Sequence, residues 1–390
     1  MKYDFDRRID RKNTYCLKYD YAVENGKPDD ALPLWIADMD FGTAPEIVDA
    51  LKKRAEHGIF GYTMPKTDYF QTVADWFKTH HGWRADPEKF ICVPGVVFGI
   101  CSLIRSVTEV GDGVLICQPV YYPFSTAVTR NKRKLVVSEL KNENGKYSVD
   151  FDDFEKKILE NKVKAFILCS PHNPVGRVWT REELEKMGDI CLKHGVFVIA
   201  DEIHADFTYE GHKHIMFPTV KKEFEKTCAV CTAPTKTFNL AGLQISNIYI
   251  PDPTVRKKFE DDLDIIAYWE PNIFGVTACH AAYTKGGEWL NQLKKYLKEN
   301  LDFVRSYLKD NLPEIKLVEP EGTYLVWLDC RSLGLSDEEL QTLVEQKAKL
   351  WLDDGYVFGA GGSGYERINI ACPRATLKIA LDNLKSAIKS

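Results

Sequence analysis

Lys236 lies in the stretch TAPTKTFNLAGLQ, directly after the apolar run TCAVC, and no other Asp, Glu, Lys, Arg or His occurs between Thr227 and Pro251. Low local polarity disfavours an ammonium, and the neutral amine that results is the form that attacks carbonyls. A surface lysine whose stem covers apolar chain fits the same position equally well. Asp201 closes the run VFVIA, which sends its carboxylate out at the carboxyl edge of a strand, where open α/β sheets place their ligands. A helix cap or a surface turn is the plain alternative. Asn173, in SPHNPVG, is bracketed by two prolines that restrict its backbone, as a turn would require and as a fixed hydrogen-bonding amide would also require.

Three other patterns resemble sites and fail on spacing or context. DEIHAD (201–206), followed by His212 and His214, holds several possible metal ligands but matches no zinc or calcium template, so no metal is expected. Gly359-Ala360-Gly361-Gly362-Ser363-Gly364 fits GxGxxG, yet it precedes the strand-like ERINI, whereas a dinucleotide site needs a strand before it and a helix after it. It reads as a flexible loop leading to Arg367. Cys228 and Cys231 form a CxxC inside an apolar run, and a strand interior is the expected setting.

The elements that would position Asn173, Asp201 and Lys236 are legible as apolar periodicity. From about residue 90, short apolar runs alternate with amphipathic stretches: FICV, VLIC, KLVV, KAFILCS, VFVIAD, TCAVCT and SNIYI. That alternation predicts a parallel or mixed sheet with helices on both faces. Helical spacing marks segments beginning near Ile47 and Tyr69, with the aromatic loop Phe60-Gly61-Tyr62-Thr63 between them, and one long helix over 288–312. Strands at IKLV, TYLVWLD and RINIA, with helices over 337–350 and 375–388, give the C-terminal hundred residues an α+β pattern. The expected division is a large domain over 50–287 and a small one made of 1–49 and 288–390.

The chain has 390 residues, 44% hydrophobic and 28% charged, which is the make-up of a globular protein and excludes disorder. A net charge of −5 leaves no electrostatic footprint for nucleic acid, so a small-molecule partner is the expectation. The charged N-terminus MKYDFDRRIDRKN is unlike a signal peptide, and the run Ile91–Ile104 is interrupted by Pro94 and Gly95 and falls short of the roughly 18 apolar residues of a membrane helix. Eleven scattered cysteines read as free thiols in a reducing compartment. A cytoplasmic protein is expected.

Taken together, WIADMDF, GYT at 61–63, VPGVV, QPVYYPF, SPHNPVGRVW, ADEIHAD, TAPTKTFNLAGLQ and RINIACPR resemble the fold-type-I pyridoxal-phosphate (PLP) enzymes of the aminotransferase class I/II superfamily. Within it, the wording looks most like the cystathionine beta-lyase (C-S lyase) branch. The resemblance implies an α/β, PLP-dependent transferase-like fold: a large domain with a seven-stranded, mostly parallel sheet, and a smaller α+β domain. It implies that Lys236 bonds the cofactor aldehyde and then acts as the base at the substrate α carbon. Asp201 would hold a proton on the pyridine nitrogen, Asn173 would bond the phenolic oxygen, and Tyr121 would stack on the ring. The amides of Val96 and Val97 would meet the phosphate at a helix N-terminus, with Thr235 adding a hydroxyl. Tyr62 would reach the phosphate of a neighbouring subunit, making the protein a homodimer. Arg367 would clamp the substrate carboxylate in bidentate fashion, with Asn173 and Trp35 beside the substrate. His204 stands where many relatives carry a tyrosine, and Gln244 where many carry a phosphate-binding arginine. The implied reaction is β-elimination on an S-substituted L-cysteine; a transaminase, or a binding protein retaining the cofactor fold, are the alternatives.

Overall fold

The computed structural model describes residues 2–389. Its main sheet has seven strands, β1 (Phe90–Val93), β2 (Gly113–Gln118), β3 (Lys134–Glu139), β4 (Val163–Cys169), β5 (Phe197–Asp201), β6 (Cys228–Thr232) and β7 (Ser246–Tyr249). Each corresponds to one of the seven apolar runs. Their order across the sheet is β1-β7-β6-β5-β4-β2-β3, and all neighbours run parallel except β7, which is antiparallel to both β1 and β6. The expected seven-stranded, mostly parallel sheet is present.

Both faces of this sheet are covered, so its strands need apolar side chains in both directions. In β6, Ala229 and Cys231 face a core containing Ile100 and Leu103 of the helix Val96–Val107, whereas Cys228 packs on the opposite side with Leu184 and Met187 of the helix Arg181–Lys193. Cys228 and Cys231 are therefore strand-interior residues, as expected. A second sheet, four-stranded and wholly antiparallel, has the order β8-β9-β11-β10, with β8 Lys316–Val318, β9 Leu325–Asp329, β10 Asp353–Asp354 and β11 Tyr365–Asn369. The long helix Gly287–Asn311 buries Trp289, Leu293, Leu297, Leu301 and Val304, the stripe its sequence period predicted.

Two expectations about the C-terminal third need correction. The helix expected over 337–350 stops early: a capped helix Asp337–Thr342 gives way to a π turn over Leu343–Lys347, Lys349 takes a left-handed backbone, and Leu350–Trp351 pairs parallel with Leu32–Pro33. Hydrogen bonding to the N-terminal segment overrides helical periodicity there. The glycine loop 359–364 is close-packed rather than loose. A β carbon on Gly359 would lie 2.2 Å from the Gln118 side chain, which itself accepts from the Ala360 amide at 2.9 Å.

The segment Leu34–Phe41 ties the N-terminal arm to the second sheet and to the turn that follows Lys236. Asn239, three residues after Lys236, donates Nδ2 to the carbonyls of Met39 (2.9 Å) and Phe41 (3.0 Å) and accepts from the Met39 amide at 2.9 Å. Its left-handed backbone, φ 56°, suits asparagine better than most residues. Lys18 is buried against Asp40, and Arg11 binds both Asp38 and Asp40. Replacing Asn239 by Ala removes all three tethers. The expected loss of unfolding free energy is about 1–3 kcal/mol by urea titration, and an unchanged midpoint contradicts this account of the segment.

Candidate active site

Three consecutive parallel strands deliver the central residues. Asp201 is the last residue of β5, Asn173 follows β4, and Lys236 sits in the short helical turn Pro234–Thr237 after β6. They line a cavity of about 220 Å³ at the carboxyl edge of the sheet, together with Tyr121, Val96, Val97, Thr235 and His204. Eight residues singled out in the sequence thus converge on one space.

Lys236 donates Nζ to the Ala37 carbonyl at 2.7 Å. Burial pushes its pKa down to about 8, the Arg367 charge acts in the same direction, and Asp38 and Asp201 oppose them. Near neutral pH a usable fraction of this amine is therefore unprotonated. Asp201 is 5% exposed, and among the described residues its carboxyl receives only one hydrogen bond, from the Ile203 amide at 3.2 Å. Burial raises its pKa to about 7, with Ile203 and Lys236 pulling the other way. His204 is driven by burial, and by the charges of Lys236 and Arg367, down to about 3, so it stays neutral; its Nδ1 is buried without a partner. Tyr121 is half-buried, and desolvation pushes its phenol well above the ordinary tyrosine range.

Three expected contributors do not line the cavity. Arg367 stands behind Asn173 and donates Nη1 to Asn173 Oδ1 at 3.0 Å. Its Nη2 serves both the Trp35 carbonyl, at 2.6 Å, and Asp353 Oδ2. With both Nη2 hydrogens engaged, neither edge of the guanidinium has two free N–H groups, so the expected bidentate clamp is not open in this arrangement. Trp35 contributes its carbonyl rather than its ring, which stacks on Trp351 with centroids 4.4 Å apart. Tyr62 is 96% exposed and borders a separate open groove with Phe60, Pro94 and Gln244.

Sequence reading missed Ser246, Ala37 and Asp353. The Ser246 hydroxyl lines the cavity and is buried without a partner. Its only local signal was its place two residues after Gln244.

These features fit a phosphorylated pyridine aldehyde. A buried carboxylate with one weak donor calls for a protonated ring nitrogen. The helix Val96–Val107 opens at Gly95 with no side-chain cap, leaving its first amides available to an anion, and the orphaned Ser246 hydroxyl and His204 Nδ1 are further groups in want of partners. Lys236 supplies the amine.

A sequence model of the family described as aminotransferase class I and II matches residues 29–384. The chain is 43% identical, over 99% of its own length and 100% of the relative's, to cystathionine beta-lyase PatB of Bacillus subtilis. Among solved structures it resembles cystalysin of Treponema denticola, which contains a pyridoxal 5'-phosphate cofactor, at TM-score 0.96 and 39% identity, covering 100% of this chain and 99% of that one. It also resembles the PLP-bound C-S lyase of Staphylococcus hominis, at TM-score 0.93 and 32% identity, covering 100% and 98%.

The depressed Lys236 pKa is directly measurable. In cofactor-free protein, acylation of Lys236 by a small amine reagent, followed by peptide mass spectrometry, should rise with pH about a midpoint near 8. A midpoint at the ordinary lysine value of 10.5 contradicts the electrostatic account.

Proposed function

The chain belongs to the aminotransferase class I and II family, and from that membership we propose that it is a PLP-dependent carbon–sulfur lyase, which converts S-substituted L-cysteines such as cystathionine into a thiol, pyruvate and ammonia. The observation that carries the reading is likeness along the whole chain to a cystathionine beta-lyase and to a C-S lyase of the same fold.

Pyridoxal 5'-phosphate, when bound, supplies an aldehyde that takes the substrate amine and a ring that draws electrons from the α carbon. The protein's residues do the rest. Lys236 would hold the cofactor through Nζ and, as a neutral amine, would take the substrate α proton. Asp201 would keep a proton on the ring nitrogen, whose positive charge would stabilise the carboxylate that burial alone disfavours. Asn173 orients the phenolic oxygen, and Tyr121 covers the ring. The first amides of the helix Val96–Val107, with Thr235 and Ser246, receive the phosphate. Arg367 and Asn173 meet the substrate carboxylate. The Asn173 amide nitrogen donates to no group among the described residues, so one N–H from each side chain can serve the two carboxylate oxygens. Loss of the α proton expels the β thiolate, and water hydrolyses the remaining three-carbon unit to pyruvate and ammonia.

The same reading includes a homodimer in which Tyr62 reaches the partner's phosphate. Supporting it, Ile59, Phe60 and Met64 flank Tyr62 on the same loop with more than half of each exposed, an apolar surface of the kind that partners cover. The boundaries near residues 49 and 288 belong to this reading too, supported by the separate sheets on either side of residue 288. A cytoplasmic setting agrees with eleven cysteines, all free. Among the described residues no helix is long and apolar enough to cross a membrane.

With cystathionine or an S-alkyl-L-cysteine and no keto acid, the enzyme should release pyruvate and free thiol in equal amounts, and Lys236→Ala should lower turnover by roughly a thousandfold or more. A strict need for a keto acid acceptor selects the transaminase instead. Sedimentation at micromolar concentration should give a dimer; a stable, fully active monomer rules out the role of Tyr62 across the interface.

A further inference from the structure

Arg367 is 2% exposed, and four groups fix its guanidinium. Asn173 holds Nη1, the Trp35 carbonyl and Asp353 hold Nη2, and the Phe358 ring lies 5.0 Å from the central carbon. Nε is buried and without a partner. Asp353 is the one charged member of this set, and its side chain is itself only 10% exposed.

The placement of Asp353 follows from the backbone. In the antiparallel pair β10–β11, Asp353 stands directly opposite Arg367, so the two side chains leave the same face of the sheet. Two residues before Asp353, Trp351 pairs with Pro33 and stacks on Trp35, which brings the Trp35 carbonyl to the nitrogen that Asp353 also holds. One short ribbon therefore supplies or positions two of the three acceptors on Arg367.

We propose that Asp353 is a positioning residue for recognition of the substrate α-carboxylate: it pins Nη2 of Arg367 and so fixes the guanidinium plane before substrate arrives. The inference rests on the reading of Arg367 as the carboxylate anchor. Asp353 touches neither cofactor nor reacting atoms in this scheme. Without it, one Nη2 hydrogen and a buried positive charge lose their partner, and the guanidinium turns toward whatever acceptor remains. Ordering it again then falls on the binding step, so the effect belongs to KM rather than to kcat. Asparagine keeps an oxygen in the same place and preserves most of the function.

The holoenzyme and its Asp353→Ala, Asp353→Asn and Arg367→Ala variants are compared with an S-alkyl-L-cysteine and with the α-amide of the same compound. Equilibrium affinity is measured in parallel for 3-(methylthio)propionate, a carboxylate with no amine to react. Asp353→Ala should raise KM for the carboxylate substrate on the order of 10- to 100-fold with kcat nearly unchanged, and weaken the propionate by a similar factor. The α-amide should be affected little, and Asp353→Asn should restore most of the loss. Equal effects on acid and amide, or an Asn variant no better than the Ala variant, overturn the proposal. If Arg367→Ala raises KM for the acid and Asp353→Ala does not, this inference alone fails. If Arg367→Ala leaves that KM unmoved, the reading of Arg367 fails with it. Thermal unfolding of each variant separates these outcomes from loss of fold.

Discussion

Asp201 and Arg367 are buried and Lys236 is largely desolvated at or beside one pocket, and the loss of their hydration is the constraint that the surrounding residues answer. Arg367 is answered within the chain, by a carboxylate, a carbonyl, an amide oxygen and a ring face. Lys236 is answered by a fall in proton affinity and by a carbonyl acceptor at Ala37. Asp201 has only the Ile203 amide. A buried carboxylate so poorly served either keeps a proton or waits for a cation, and burial, which pushes its pKa up to about 7, favours the first. The asymmetry identifies which charge the fold leaves for a ligand to complete: it is negative, it lies at the end of the central strand β5, and in the proposed reading a protonated ring nitrogen would complete it.

The backbone segment from Trp35 to Met39 links these answers. Its carbonyls contact Arg367, Lys236 and Asn369 in turn, while Tyr324 also donates to Ala37 at 3.2 Å. Asn239 clamps the same segment from the side of Lys236, and Arg11 and Lys18 neutralise its acids Asp38 and Asp40 from the N-terminal arm. Asp38 also raises the proton affinity of Lys236 against the effect of burial. The arm therefore acts on the chemistry electrostatically as well as by packing, although it is far from Lys236 in sequence.

How much of this was legible depended on whether the signal was local. The seven strands of the main sheet were readable because a doubly covered strand must be apolar throughout, and Asn173, Asp201 and Lys236 were readable because each follows such a run within a few residues. Their mutual approach then follows from parallel β4, β5 and β6 being neighbours. Asp353 had no comparable signal: it matters because it stands opposite Arg367 in an antiparallel pair, and register between separate strands is not written in either strand alone. Trp35 was identified for its side chain and serves through its carbonyl, a group every residue carries. The helix expected over 337–350 failed for a related reason, since pairing of Leu350–Trp351 with a segment some three hundred residues earlier outweighs local periodicity.

The end of the cavity near Val96 has a different electrostatic character. Among the described residues Lys236 is the only lysine or arginine lining the cavity, Gln244 is exposed and borders the neighbouring groove, and His204 is neutral. An anionic group there is met by amides at the start of the helix Val96–Val107 and by the hydroxyls of Thr235 and Ser246, which are dipoles rather than full charges. Dipoles fixed by packing need no reorganisation to receive an anion, but each is weaker than a guanidinium fork. On the proposed reading, retention of a phosphorylated cofactor would fall more heavily on its link to Lys236 than in a relative with an arginine at this end. Depressed lysine basicity favours that link, because the amine does not first have to lose a proton to water. The burial that weakens Lys236 as a cation thereby compensates, in part, for the cation that Gln244 does not provide.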